Sequence, residues 1–249
     1  MRSHGSRLIP LLFIMATVNG YAGELTLSSG QQQTLLIELY TSEGCSSCPP
    51  AEEYLNALKQ NQKLWQVYIP VAFHVGYWDY IGWRDPYAHP AYAKRQSEYA
   101  RQRNQGTVYT PAFVVNGKAW RPGWLDRELP VPGNPAGELT VSLKDQQLTA
   151  NYLPVSHGSE KLTLNIAILG MNLVSHIKAG ENSGRTSRHE FVVVGYKTVD
   201  SSNAQWVTTL PALHYSAANH YALAVWVNLL NDLTPLQAVG GELPQLSGK

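Results

Sequence analysis

Apolar positions fall into two regimes along the chain. In the first, Thr34-Leu35-Leu36-Ile37-Glu38-Leu39-Tyr40 and the run from Val67 to His74 are almost continuously apolar, the pattern of strands buried on both faces. Between them, Pro49-Pro50-Ala51-Glu52-Glu53-Tyr54-Leu55-Asn56-Ala57-Leu58 predicts a helix. Its prolines stand in the first turn, where an N–H has no intrahelical partner, and its acids suit the positive end of the helix dipole. Tyr92 to Asn104 predicts a second helix, and Ala112-Phe113-Val114-Val115 a third strand that ends at the hairpin turn Asn116-Gly117. A long aromatic loop, Gly76 to Pro86, separates the second strand from the second helix. Strand, helix, strand, helix, strand and hairpin is an α/β order.

In the second regime the period becomes two. Leu139-Thr140-Val141-Ser142-Leu143 and Leu148-Thr149-Ala150-Asn151-Tyr152 alternate around a polar turn, and Leu162, Leu164, Ile166 and Ile168 keep the same spacing. Further strands are predicted at Phe191 to Lys197, Trp206 to Leu210 and Tyr221 to Asn228, which together suggest a β-sandwich. The change falls at Pro130-Val131-Pro132-Gly133-Asn134-Pro135, whose composition is that of an interdomain linker. No internal repeat or low-complexity stretch interrupts either half.

Length and charge narrow the reading. A chain of 249 residues has room for two modest domains. Arg2 and Arg7 precede an apolar run from Leu8 to Val18, and Gly20-Tyr21-Ala22 offers small residues for cleavage, so residues 1–22 predict a signal peptide. The run is about half of the roughly 20 apolar residues that span a bilayer, so no stable membrane span is expected after cleavage. The mature chain, periplasmic or secreted, then carries 17 Lys+Arg against 18 Asp+Glu. Such a balance gives no electrostatic reason to bind nucleic acid. Lys94, Arg95, Arg101 and Arg103 share the second predicted helix with Glu98 and read as a solvated face.

Export gives meaning to the cysteines, of which there are two, Cys45 and Cys48. A disulfide between residues three apart closes too small a loop to stabilise the fold much, so the spacing favours chemistry over stapling. The pair follows a buried strand and a turn and opens a helix. There the dipole and free N–H groups favour a thiolate on Cys45, expected nearest the solvent and the nucleophile toward a substrate disulfide. Cys48 would resolve the mixed disulfide. A zinc site would need about four ligands, and a covalent haem would need His where Pro49 stands.

At this point Cys45-Ser46-Ser47-Cys48-Pro49 resembles the motif of the thioredoxin superfamily. Thr110-Pro111-Ala112-Phe113-Val114-Val115-Asn116-Gly117 resembles the segment of that superfamily in which a cis-proline faces the cysteines. The resemblance implies that role for Pro111, with the Thr110 backbone as an edge for the substrate chain. A narrower likeness spans most of the mature chain. Glu38 to Ala51, the blocks Ala72-Phe73-His74-Val75, Tyr77-Trp78-Asp79-Tyr80 and Gly82-Trp83, and the later Gly180 to Arg185 and Gln237 to Gly240 resemble a bacterial family of exported thioredoxin-like proteins of unknown function (domain of unknown function twelve-twenty-three). The fold expected is an α/β thioredoxin-like domain over 23–130, followed by a β-sandwich-like domain over 136–249. The segment Lys118 to Pro130 is too short for the closing strand and helix, so the first domain either ends truncated or is covered by the second. In many thioredoxins a buried acid stands six residues before the first cysteine; Glu38 stands seven before Cys45, which leaves its part in proton transfer open.

The remaining candidates are weaker. His74 ends a buried strand and either bonds to the aromatic loop or holds a proton near Cys45. Tyr77, Trp78, Tyr80 and Trp83 wall a groove or form a satellite core. Asp79, Asp85 and His89 match no metal spacing and read as turn and surface residues, and Glu181, Asn182 and Arg185 as a self-bonded turn. The function expected is a thiol–disulfide oxidoreductase with site residues Cys45, Cys48, Thr110 and Pro111, no cofactor, a protein or small-molecule disulfide or thiol as substrate, and an unidentified electron partner. Two alternatives stand beside it: a copper-binding or copper-delivery protein using Cys45, Cys48 and His74, and a binding module in which the β-half recognises a partner.

Overall fold

The computed structural model describes residues 24–104, 106–121, 128–133, 135–156 and 160–244; the expected signal peptide, 1–22, lies outside them. The chain is mostly β. In order, its elements are β1 (Glu24–Ser28), β2 (Leu35–Thr41), α1 (Pro49–Ala57), β3 (Tyr68–His74), α2 (Pro90–Gln102), β4 (Ala112–Val115), β5 (Lys118–Trp120), β6 (Glu138–Lys144), β7 (Gln147–Leu153), β8 (Leu162–Met171), β9 (Leu173–His176), β10 (Thr186–His189), β11 (Val192–Ser201), β12 (Gln205–Thr209), β13 (His220–Leu229) and β14 (Pro235–Glu242).

One mixed sheet of eight strands runs through the molecule in the order β14-β13-β8-β11-β3-β2-β4-β5. A four-stranded antiparallel sheet, β1-β6-β7-β12, packs on one of its faces, and β9 and β10 form a separate pair. The large sheet is buried on both sides, and strand alternation shows how. Ala222, Ala224 and Trp226 of β13 join the core shared with the helices, whereas Leu223, Val225 and Val227 join the core against the small sheet. This burial explains the nearly continuous apolar runs of β8 and β13. By contrast β6 and β7 alternate buried and half-exposed positions, as one-sided strands do.

The proline-rich stretch near 130–135 therefore does not divide the sheets. Strands β2 to β5 come from before it and β8, β11, β13 and β14 from after it, and they join where β11 lies parallel to β3. The seam is short: Val192 pairs with Ala72, whose N–H donates to the Phe191 carbonyl at 2.8 Å. The small sheet likewise borrows β1 from upstream of everything the α/β pattern contains. Strand, α1, strand, α2 and hairpin fall as the sequence predicts, and Asn116-Gly117 turns β4 into β5. Gly117 has φ +76° and lies against Thr234, where an added Cβ would come within 2.8 Å of backbone, so the turn needs glycine twice over.

Across the seam lies a buried ion pair. Arg95 of α2 donates from Nε to Glu38 Oε2 at 2.8 Å and from Nη2 to Oε1 at 3.2 Å. Tyr99 and Tyr40 hydroxyls donate to the same carboxylate at 2.5 and 3.0 Å. The guanidinium lies over the rings of Tyr196 of β11 and Trp226 of β13, 5.9 and 5.3 Å from their centroids. Burial alone would lower the Arg95 pKa, but Glu38 and the surrounding tyrosines hold it well above the ordinary value. Of the basic cluster read as a solvated face, Arg95 is thus an exception: it is buried because it stands on the inward stripe of α2 with Tyr92, Gln96, Tyr99 and Ala100.

Candidate functional site

At the C-terminal end of β2 the chain leaves the sheet through Thr41-Ser42-Glu43-Gly44 and enters the disulfide Cys45–Cys48, whose Cα atoms lie 5.4 Å apart. Cys48 is the N-cap of α1, with Pro49 and Pro50 in its first turn. Neither proline has an N–H, and the next two donors, Ala51 and Glu52, turn back to the Cys48 carbonyl at 2.9 and 3.1 Å. The helix N-terminus therefore offers a sulfur its dipole but few free N–H groups. Ser47 Oγ stands 3.4 Å from Cys45 Sγ and supplies one hydroxyl. Ser46 and Ser47 are exposed, but Cys45 is only 1% exposed and Cys48 fully buried. The sequence placed Cys45 nearest the solvent; the folded loop covers it, and a reagent would reach its sulfur only through local opening.

Thr110 and Pro111 come to the same end of the sheet. Tyr40 of β2 pairs with Ala112 of β4, so Pro111 stands beside the point where the chain turns toward the cysteines. The Thr110–Pro111 bond is cis. The aromatic loop links the two segments: Trp78 packs on Gly44 and donates from Nε1 to Thr110 Oγ1 at 2.7 Å. A Cβ at Gly44 would fall 3.0 Å from Trp78 Cβ and 3.3 Å from its carbonyl oxygen, neither of them a flexible tip. Gly44→Ala should therefore displace Trp78 and lower stability by about 1–3 kcal/mol, as overpacking does. Urea unfolding checks this, and a loss below about 0.5 kcal/mol would mean the loop shifts freely.

Beneath the cysteine loop lies a cluster that the sequence reading did not assemble. Residues of β2 alternate between faces, so Thr41 points toward α1 while Glu38 points away toward α2. Thr41 Oγ1 donates to Glu52 Oε1 of α1 at 2.6 Å. Beside Thr41 in β3 stands His74, whose Nδ1 lies 2.7 Å from Asp85 Oδ2. His189, at the end of β10, has Nε2 3.0 Å from Glu43 Oε1 and Nδ1 3.4 Å from Glu52 Oε2. All six side chains, Thr41, Glu43, Glu52, His74, Asp85 and His189, are buried. The second half of the chain is anchored here by Asn56 of α1, which donates to the Arg188 carbonyl at 2.8 Å and accepts from the Glu190 N–H at 3.0 Å.

The electrostatics are those of charges kept from water by pairing. Burial would push the Glu52 and Asp85 carboxyls up, yet contacts with His189 and His74 bring both below the usual carboxylate range. Burial would push His189 down, but its contacts with Glu43 and Glu52 raise it to about 10. Glu43 also accepts from Trp83 Nε1 at 2.7 Å, and its N–H donates to Asp85 Oδ2 at 2.9 Å, so the cluster sets the turn that carries Cys45.

Several sequence expectations can now be placed. His74 bonds to the aromatic loop, through Asp85. Asp85 is no surface residue. Asn182 does not simply hold its own turn: its Nδ2 donates to the Glu43 carbonyl at 2.8 Å and the Cys45 carbonyl at 3.1 Å, from 137 residues away. Arg185 pairs with Glu53 at 3.0 Å on the surface. Glu38 stands on the sheet face opposite Glu52 and the cysteine helix, held by Arg95. Among the described residues, the potential metal ligands gathered within 4.8 Å of one another are Glu52, His74 and His189. No described helix is long and apolar enough to cross a membrane.

A family model described as "Protein of unknown function (DUF1223)" matches residues 36–228. No curated protein matches the chain. Among solved structures, protein AGR_C_4864 from Agrobacterium tumefaciens is 20% identical with a TM-score of 0.60, over 88% of this chain and 98% of its own. HBP35 of Porphyromonas gingivalis is 12% identical with a TM-score of 0.58, over 89% of this chain and 79% of its own. At these identities the likeness is one of fold.

Proposed function

The chain belongs to the DUF1223 family, and from that premise we propose that it is an exported thiol–disulfide oxidoreductase with a thioredoxin-like α/β portion. The observation that carries this reading is the Cys45–Cys48 disulfide between β2 and α1, with Thr110–Pro111 at the same sheet end. Parallel β2 and β3, antiparallel β4 and β5, and helices over the sheet support the thioredoxin-like part, in which β11 takes the position beyond β3. Residues 1–22 support export.

In the reducing direction, the Cys45 thiolate attacks a substrate disulfide, forms a mixed disulfide and expels one substrate thiolate. The Cys48 thiolate then attacks Cys45 Sγ, which expels the second substrate thiolate and leaves Cys45–Cys48 oxidised. Two electrons pass to the substrate, and a dithiol donor must return them. Glu52, hydrogen-bonded to Thr41, is the acid on the cysteine side of the sheet; Glu38 takes no part. The copper reading receives less support, because His74 turns to Asp85 and to the Glu52–His189 pair.

The potential follows from what stabilises the reduced state. A strong oxidant needs a well-stabilised thiolate. Here Pro49 and Pro50 remove two donors and the Cys48 carbonyl takes two more, so the pair should lie in the reducing part of the oxidoreductase range, below about −200 mV. Equilibration against glutathione and dithiothreitol, with thiol alkylation as readout, measures it. A value near −120 mV would reverse the direction, and a pair that stays oxidised far below about −270 mV would make the disulfide a structural bridge.

A further inference from the structure

We propose that Glu52, His74 and His189 form a buried site for a divalent first-row metal ion, with zinc as the ion that tests it. This goes beyond the redox reading and does not depend on it. The three side chains are 8, 0 and 2% exposed, and each brings one ligand atom within 4.8 Å of the other two. A tetrahedral zinc with bonds near 2.1 Å sets its ligands about 3.4 Å apart, so the cluster closes by roughly 1 Å around an ion.

The orientation of the imidazoles singles out this set. Metal-ligating histidines hold the nitrogen remote from the ion on a carboxylate or carbonyl, which fixes the ring and its tautomer. Both histidines here are held so. Asp85 Oδ2 lies 2.7 Å from His74 Nδ1, and Glu43 Oε1 lies 3.0 Å from His189 Nε2. Of their other nitrogens, His189 Nδ1 lies 3.4 Å from Glu52 Oε2, and His74 Nε2 is buried with no hydrogen-bond partner among the described residues. An ion-pair network alone accounts for His189, both of whose nitrogens meet carboxylates. It gives no partner to His74 Nε2, and a buried polar atom left unpaired is costly.

Charge and donor type agree. Glu43, Glu52 and Asp85 crowd three carboxylates around two imidazoles in a water-poor interior, which a dication offsets. Two imidazoles and one carboxylate suit zinc and its borderline neighbours better than the all-oxygen preference of magnesium or calcium. Sulfur is not in the set. The ligands come from α1, β3 and β10, so the ion would fasten the helix that begins at the cysteine pair to both halves of the sheet-forming chain.

The test uses the full mature chain with its disulfide oxidised. The protein is stripped by chelator in denaturant and refolded with or without Zn²⁺; bound metal is then counted and affinity measured by competition with a chelating dye. One Zn²⁺ per chain is expected, unchanged in the Cys45→Ser/Cys48→Ser variant. Asp85→Asn should weaken binding about 10–100-fold and His74→Gln by at least as much. Cobalt in place of zinc, added to the wild-type chain after Cys45 and Cys48 are reduced, should give visible d–d bands without a thiolate charge-transfer band, a readout that holds even where His74→Gln does not fold. Absence of stoichiometric zinc in the refolded protein, unchanged affinity in folded His74→Gln, or a thiolate band in the cobalt spectrum would overturn the proposal.

Discussion

Arg95→Met should cost about 3–5 kcal/mol of folding stability, the usual loss when one partner of a buried ion pair is removed. The substitution keeps much of the side-chain volume but leaves the Glu38 carboxylate buried at 0% exposure with, among the described residues, only the Tyr40 and Tyr99 hydroxyls. The damage should spread, because the guanidinium also lies against Tyr196 and Trp226 from the other half of the sheet, beside a β3–β11 seam with one paired position. Pairing it with Glu38→Leu should recover most of the loss, since replacing both members by apolar groups removes the stranded charge. Urea unfolding of the single and double variants measures the coupling. A loss under 1 kcal/mol for Arg95→Met would show that water or a neighbouring hydroxyl neutralises Glu38. Because Glu38 and Arg95 lie on the sheet face away from α1, thiol exchange in the folded part of each sample should stay within about twofold of the parent.

How far the sequence carried the fold depends on whether a pattern is local. Strands β2, β3 and β4 announce themselves as apolar runs, and the Asn116-Gly117 turn fixes β5. Arg95 was legible too, but only through its spacing: Tyr92, Arg95, Gln96, Tyr99 and Ala100 recur at helical intervals, and that stripe outweighs the neighbouring charges. Strand β1 alternates Leu25 and Leu27 with polar residues, yet so short a segment means little until β6 is there to pair with it. The seam between β3 and β11 carries no local signal, and the prolines near 130–135 suggested a division that the sheet ignores.

The site follows the same rule. Cys45, Cys48, Thr110 and Pro111 are named by motif, whereas Glu43, Glu52 and His189 have no informative spacing, being brought together from a turn, a helix face and a strand more than a hundred residues on. Glu52 reads in sequence as an acid that favours a helix N-terminus. In the fold its neighbours make it part of a cluster.

The last expected result separates the two cysteines. With a small aromatic disulfide as substrate and a dithiol as donor, Cys45→Ser should reduce catalysed exchange to the rate seen without protein. Cys48→Ser, given the aromatic disulfide without the dithiol, should keep the first attack, release one aromatic thiolate and accumulate one covalent adduct per chain, visible by mass. The asymmetry follows from position. Cys45 belongs to the turn, with exposed Ser46 and Ser47 after it and the Ser47 hydroxyl 3.4 Å from its sulfur. Cys48 is the N-cap of α1 and wholly buried, so a substrate is expected to reach it only through Cys45. Since Cys45 is itself 1% exposed in the closed disulfide, the turn must open before any thiol reaches it. Trp78→Ala, which removes the indole that donates to Thr110 Oγ1 while keeping the Cβ against Gly44, should therefore speed reduction of Cys45–Cys48 by a bulky reductant more than by a small one. An adduct that forms on Cys48 in the Cys45→Ser chain, and none in Cys48→Ser, would exchange the two roles and place the entry path on the side of α1.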